Sequence, residues 1–597
     1  MTASPITLFD SPPADEDAPL YSPLVSVDQN DISTIAWNTA YSPYLSSPDP
    51  TNAIAYENGA RGYAVRIAAN GTVGSLEVVD SNTETNVALT DDSNGDTILA
   101  SQHTNDCDSF TQTLFWPVGG TPDTPVIAST PAPGDDNPGP RSATVGDAPN
   151  DSTTVLWDGC DGGSQQISDR MWPQGQNLDP QIYVLSAAGG DAYDPQVAFS
   201  ASGTATIIWN RFNGANTIVQ GVRQAPNGTV STVQNLSPTG SDATEARVGV
   251  DANGDAVVMW TSQSGAAVAL DAVQWAANGT VGPVQAITPT EATVSGVLGI
   301  DSTGTATFLS NAYDGISGDA TTLSARRLEA NGTLDATQSL SVGYDPVVAI
   351  GPSGQAALVY SVAQSSTSYT LDEADWPAGG SPTSPTVIAS CTCSATGAAF
   401  DASGDLSVGY GPNGFAVILR PAGGSFGAAQ NLLSSSSLYS RSLFGFDPTG
   451  SVTAGALNEP GQTQTPQVGR LLADGTVCTP LSESASDAQL LDGAVDNDGT
   501  ATIAWPEITG TTVDIQGTRV PAGCQSTANA PVDISTPSTP TATLTPTTTT
   551  LTSSTNPRRL LRRSPSPLRC HQQMAVEPSG SLLTGLRVPY RDAPLCR

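Results

Sequence analysis

Residues 243–289 read ATEARVGVDANGDAVVMWTSQSGAAVALDAVQWAANGTVGPVQAITP. Asp251-Ala252-Asn253-Gly254 has the residues of a tight turn: Asp suits its first position, and Gly accepts the left-handed backbone that closes a hairpin. Before it, Arg247–Val250 is short and extended. After it, Ala256–Trp260 is one strand long and rich in β-formers. A polar loop, Thr261–Gly265, is expected next, then a third strand over Ala269–Trp275. The Asn278-Gly279 turn is a strong hairpin signal, and Thr280–Ile287 completes a four-stranded antiparallel meander.

The unit recurs. The Gly of the first turn returns as Gly203, Gly254, Gly304, Gly354, Gly404, Gly450 and Gly499, at intervals of about 50 residues. Looser copies lie upstream, at Asp28-Gln29-Asn30-Asp31, Asp92-Ser93-Asn94-Gly95 and Asp147-Ala148-Pro149-Asn150. An aromatic closes the second strand at Trp37, Trp157, Trp209, Trp260, Tyr360, Tyr410 and Trp505. Asn-Gly-Thr returns at Asn70, Asn227, Asn278 and Asn331; turn chemistry accounts for it without attached sugar. Four strands per 40 to 50 residues is the period of propeller blades. The expected fold is therefore all-β: a β-propeller of about ten four-stranded repeats. The early repeats are less regular than those over roughly 191–390, which favours two rings over one.

In order, residues 1–20 hold a leading strand and connection, 21–535 the repeats, 536–556 a Pro/Thr-rich linker and 557–597 a basic tail. Ser4–Phe9 resembles the fourth strand of a repeat; it either closes the ring onto the last blade or is left over from a lost one. The tract TPSTPTATLTPTTTTLTSSTN cannot pack a core and reads as a stalk. The Arg-rich tail reads as disordered.

Charge narrows the partners. There is no Lys, and residues 1–556 carry 13 Arg against 55 acids, a net of about −42. This argues against nucleic acid and anionic lipid. No transmembrane span is visible. No signal peptide is visible either, which suggests a truncated start to an extracellular or cell-surface protein. The eight Cys suit an oxidising compartment. Two pairs in neighbouring repeats, Cys107 with Cys160 and Cys478 with Cys524, are placed to staple adjacent blades.

Three chemistries deserve weighing. Asp92, Asn94 and Asp96, and again Asp251, Asn253 and Asp255, set oxygens at alternate positions of a Gly turn, where they would suit calcium. The pattern resembles the opening of the calcium loop in FG-GAP propeller repeats, but the acid that loop needs at its ninth position is Ala100 or Met259 here. Hairpin geometry alone also explains these residues, and no motif requires a cofactor. The turn also resembles the Asp-box of sialidase-like propellers, with too long a spacing from Gly254 to Trp260; a glycosidase would need a carboxylate pair that nothing nominates. No nucleophile elbow, phosphate loop or dinucleotide fingerprint is present. The third candidate is a binding face at the second-to-third-strand loops, with Asn210, Arg211, Phe212 and Asn213 in one repeat and Asn311, Tyr313 and Asp314 in another. Amides beside aromatics suit a glycan or a protein surface.

Val250-Asp251-x-x-Gly254-x-Ala256-x-x-x-Trp260 resembles the VDxxGxAxxxW propeller repeats of secreted or surface proteins from high-GC bacteria, over roughly residues 20–535. The resemblance implies the fold but no one activity. The reading expected from the whole is a non-catalytic extracellular propeller that binds a glycan or protein through its loop face. A secreted polysaccharide hydrolase or lyase and a structural surface array are the alternatives.

Overall fold

A computed structural model describes the chain from Ile6 to Cys524, apart from residues 10–22, 39–61, 128–142, 173–180, 434–442 and a number of shorter stretches. The expected linker and tail therefore lie outside the described residues. The rest is a β-propeller of ten four-stranded antiparallel sheets.

Blade 5 shows how sequence makes a blade. Its inner strand, Asp242–Val250, pairs with Ala256–Ser264, with Val250 opposite Ala256. The Asp251–Gly254 turn closes between them: the Gly254 N–H donates to Asp251 O at 3.1 Å, and Gly254 sits at φ 91°. The third strand is Ala267–Trp275. The polar loop expected at Thr261–Gly265 is mostly strand, because Thr261–Ser264 continue the ladder onto Ala267–Leu270. The fourth strand is also shorter than expected. Only Gln285–Ala286 pair with the third, after a hairpin that bridges Trp275 to Val281.

One meander leaves both its faces apolar, and stacking on its neighbours buries them. Ile208 and Val219 of blade 4 share a core with Val258, Trp260 and Val273 of blade 5. The recurrent aromatics are inter-blade core: Trp37, Trp157, Trp209, Trp260, Tyr360 and Trp505 are all buried.

The ten blades form one ring, not two. Inner strands of successive blades pack together all the way round, and blade 1 meets blade 10. The early repeats share the continuous packing of the later ones. Leu156 and Ile167 of blade 3 join Ile207 and Trp209 of blade 4 in a continuous core. At the closing seam, Ile35 and Trp37 pack with Ala504 and Ile515, and Ser33 Oγ lies 2.6 Å from Thr502 Oγ1. Blade 10 takes its outer strand from the other end of the chain: Ile6–Phe9 pairs with Thr512–Val520.

Two further devices bind blade to blade. Cys478 of blade 9 is disulfide-bonded to Cys524, just beyond the third strand of blade 10. Cys107 and the Cys160 side chain lie outside the described residues. The second device is a buried Arg at the last position but one of the third strand. Arg223 donates to Gly254 O and, at the other end of its fork, to Trp275 O, with its guanidinium 4.7 Å from the Trp275 ring centroid. Arg66 makes the same reach from blade 1 to blade 2, and Arg327 from blade 6 to blade 7. Arg519 of blade 10 donates to Ala68 O of blade 1 at 2.7 Å, across the closing seam.

Candidate functional site

An antiparallel meander sends its turns to two opposite rims. The Asp-x-x-Gly turns and the Asn-Gly-Thr turns share one rim. The second-to-third-strand turns share the other with the starts of the inner strands.

On this second rim the expected ligand residues divide. Asn210 and Asn311 are not on loops: both lie in second strands, Ala205–Phe212 and Ala306–Tyr313, at 2% and 0% exposure. The cause is the continued ladder seen in blade 5, which carries the strand past the aromatic by several residues. Ser295 Oγ donates to Asn311 Oδ1 at 2.6 Å. The Tyr313 side chain and Asp314 lie outside the described residues.

Arg211, Phe212 and Asn213 do reach the rim of blade 4. Phe212 is 37% exposed, and its backbone N–H donates to Asp191 O at 2.7 Å. Asn213 shapes the turn: its Oδ1 accepts the N–H groups of Ala215 and Asn216, each at 3.0 Å. Arg211 donates to Ala188 O. The connection into blade 4 passes so close that a Cβ on Gly190 would stand 2.2 Å from Phe212 O. Phe212 is thus an apolar ring held out on fixed backbone.

Beside it lies a set of residues that sequence reasoning missed. Asp194, Glu245 and Asp345 adopt left-handed backbone, at φ 53°, 53° and 50°. Each sits in a bulge near the start of an inner strand, in blades 4, 5 and 7, and each is exposed. Non-Gly residues rarely hold this conformation. Asn210 Nδ2 donates to Asp194 Oδ2 at 3.4 Å, and Thr261 Oγ1 to Glu245 Oε2 at 3.1 Å. The signal in the sequence is an acid at matching repeat positions, in AYDPQV, ATEARV and GYDPVV, two of which share Tyr-Asp-Pro.

On the opposite rim the six expected calcium residues keep their turns in shape. Asp251 Oδ1 accepts the N–H groups of Asn253 at 2.9 Å and Asp255 at 2.8 Å, and its Oδ2 accepts Asn253 Nδ2. Asp255 Oδ1 accepts the Ala277 N–H, tying this turn to the Asn-Gly-Thr turn. In blade 2, Asp92 Oδ1 accepts from Asn94 and Asp96, and Asp96 Oδ1 accepts the Val118 N–H. Asp92 and Asp251 are buried. Asp251→Ala therefore strands two amides and is expected to cost about 1–2 kcal/mol, read by chemical denaturation, with the same loss in calcium and in chelator.

Among the described residues, three carboxylates converge at the closing seam. Asp31, in blade 1, stands where other turns have Gly, at φ 60°. Its oxygen and those of Asp496 and Asp498 of blade 10 lie within 4.8 Å of one another. Such a trio could hold a hard cation, but Arg519 Nη2 is already 3.5 Å from Asp496 Oδ2. Burial, then the hydrogen bond and charge of Asp498, pushes Asp496 up to about 8. The same hydrogen bond holds Asp498 down at about 2.

Glu373 of blade 7 is also pushed up to about 8, by burial and against the pull of Arg420. An acid raised in the fold favours the folded state fully below its unfolded value near 4, and that contribution is lost as pH rises through its folded value. The ring is therefore expected to melt at a higher temperature at pH 5 than at pH 8.5. Asp496→Asn and Glu373→Gln should each flatten the slope; a melting temperature that rises toward pH 8.5 would contradict the assignment.

No family model matches the chain, and no curated protein matches it. Solved structures match in shape. A eukaryotic initiation factor is 10% identical and covers 69% of this chain and 94% of its own, with a TM-score of 0.40. The Dos1 propeller is 8% identical over 64% and 92%, with a TM-score of 0.34. An ulvan lyase, described as a new family of polysaccharide lyase, is 10% identical over 58% and 90%, with a TM-score of 0.31. At these identities the likeness is one of fold alone.

Proposed function

We propose that the chain is a non-catalytic recognition ring, working outside the cell or at its surface, that binds a glycan through the rim carrying Phe212. A protein surface is the other ligand class for the same rim. The observation that carries this reading is Phe212 itself: a partly exposed aromatic on fixed backbone, with Arg211 and Asn213 beside it. A sugar face stacks on such a ring while amides and carboxylates bond its hydroxyls. The Cys478–Cys524 bond suits an oxidising compartment. On this reading the chain is a member of the VDxxGxAxxxW-type surface propellers. Calcium, if used, would act at Asp31, Asp496 and Asp498.

The second reading is a polysaccharide hydrolase or lyase. It is favoured by the left-handed Asp194, Glu245 and Asp345, since strained backbone is concentrated at working sites. A glycan array, run with calcium and with chelator and followed by product analysis, separates the readings. Saturable binding without cleavage, lost in Phe212→Ala, supports the recognition ring. Cleaved product supports the enzyme. No binding to glycan or protein leaves the structural array.

A further inference from the structure

An asparagine followed by glycine sets a side-chain amide next to a backbone nitrogen that no Cβ shields, and the nitrogen can attack the amide carbon. Nine such pairs occur in the chain, and seven of them lie among the described residues. In six of the seven the glycine N–H is already committed. Gly71, Gly228, Gly279 and Gly332 each donate to the carbonyl three residues back at 2.8 Å; Gly95 and Gly254 do the same at 3.0 Å and 3.1 Å. Attack from any of these nitrogens would have to give up the bond that closes its hairpin.

Asn213-Gly214 is the exception. It forms the second-to-third-strand turn of blade 4, beside Phe212. Among the described residues, the Gly214 N–H meets no acceptor. Its position is open, since a Cβ on Gly214 would meet nothing within 4 Å. The amide under attack is prepared as well. Asn213 Oδ1 accepts two N–H groups, from Ala215 and Asn216, each at 3.0 Å. In four of the other pairs Oδ1 accepts one, from the Thr two residues on. Two donors draw charge from Cγ, and they are in place for an oxygen that turns anionic as the nitrogen adds. The leaving group, Nδ2, lies 3.5 Å from Thr239 O, at the limit of a hydrogen bond.

We propose that Asn213 is a self-modification site, which converts in the folded ring while the other six pairs are protected. Gly214 N gives its proton to hydroxide and bonds to Cγ. The Cγ–Nδ2 bond breaks, and Nδ2 takes a proton from water and leaves as ammonia. Water then opens the cyclic imide at either carbonyl, which yields aspartate or isoaspartate. Either product adds a carboxylate beside Arg211 and Phe212. Isoaspartate also adds a methylene to the main chain inside the turn, which loosens the backbone that holds Phe212 out. On the recognition reading above, the ligand rim therefore changes with the age of the molecule; the reaction itself does not depend on that reading.

The test incubates the whole chain at mildly alkaline pH, folded and in concentrated urea, and follows each Asn-Gly pair by peptide mass mapping. In the folded chain Asn213 is expected to convert on the order of tenfold faster than any of the six. In urea the seven rates should converge, because the turns are gone. Conversion of Asn213 no faster than the rest in the folded chain overturns the proposal. So does a lead that persists undiminished in urea, which would assign it to neighbouring sequence rather than to the turn. Hydrogen exchange then reads the Phe212 N–H, which donates to Asp191 O at 2.7 Å. Isoaspartate-containing chains should lose that protection, whereas Asn213→Asp should keep it, because aspartate still accepts from Ala215 and Asn216. Full protection in the isoaspartate form would overturn the assigned effect on the rim.

Discussion

Arg327→Met should open the seam between blades 6 and 7 and lower stability by on the order of 4 kcal/mol. The guanidinium is almost wholly buried, at 1% exposure. Its Nε donates to Thr307 Oγ1 at 3.0 Å, Nη1 to Pro377 O at 2.6 Å, and Nη2 to Trp376 O at 2.8 Å and Gly354 O at 3.3 Å. The ring centroid of Trp376 is 4.8 Å from its central carbon. Methionine fills much of the volume but removes the Arg donor from three carbonyls of the next blade, of which Pro377 O keeps the Gly380 N–H at 3.1 Å. Loss of those partners dominates, because the carbonyls stay buried. Lysine keeps the charge but not the fork, so Arg327→Lys should recover only part of the loss. The neighbouring Arg326 is half-exposed and bonds carbonyls on the opposite side of the strand. Arg326→Met should cost about 1 kcal/mol, which makes it the internal control. Hydrogen exchange at Gly354 and Trp376 reads the opening directly; unchanged protection would show that the latch is dispensable.

Replacing Cys478 and Cys524 together by Ala should cost about 3–4 kcal/mol. The two are 46 residues apart, and closing a loop of that length in the unfolded chain accounts for this magnitude. The effect should be local before it is global. The bond ties the end of blade 10 to blade 9, beside Arg470, whose Nη1 donates to Pro521 O at 2.9 Å. Blade 10 also holds the outer strand brought from Ile6–Phe9. With the bond removed, blade 10 and that strand should lose protection first, leaving the blades around Trp260 intact. Reductant added to the unmodified chain should reproduce the pattern. Loss of protection spread evenly over the ring would instead mean that the seam is held mainly by its core.

The architecture was legible because a period of about 50 residues repeats its turn glycine and its aromatic together. Each of the ten repeats had a recognisable turn, even where Gly is replaced, as at Asp31. What was not legible is what lies between repeats. The Arg at the end of the third strand recurs at Arg66, Arg223, Arg327, Arg470 and Arg519, but its partners come from the next blade, and spacing within one unit says nothing of them. Lengthening of the second strand moved Asn210 and Asn311 from an expected loop into the sheet, because alternation stays compatible with strand through polar residues such as Thr261–Ser264. The bulge acids were hidden for a different reason: left-handed backbone at Asp194, Glu245 and Asp345 has no signature in a single sequence. Asp251 and Asp92 were read for their oxygens, and in each the Oδ1 accepts the amides two and four residues on.

The shared tenth sheet sets a schedule for biosynthesis. Ile6–Phe9 leaves the ribosome about 500 residues ahead of its partner Thr512–Val520. At 5–20 residues per second the early strand waits roughly half a minute to two minutes for its place. Nine blades can stack during that interval, but the circle stays open until the last three strands arrive. A chain stopped short of Thr512 would carry both a homeless strand and an uncapped sheet flank, the features that quality-control proteases and chaperones engage. The tenth sheet is therefore complete only in polypeptides translated through Val520.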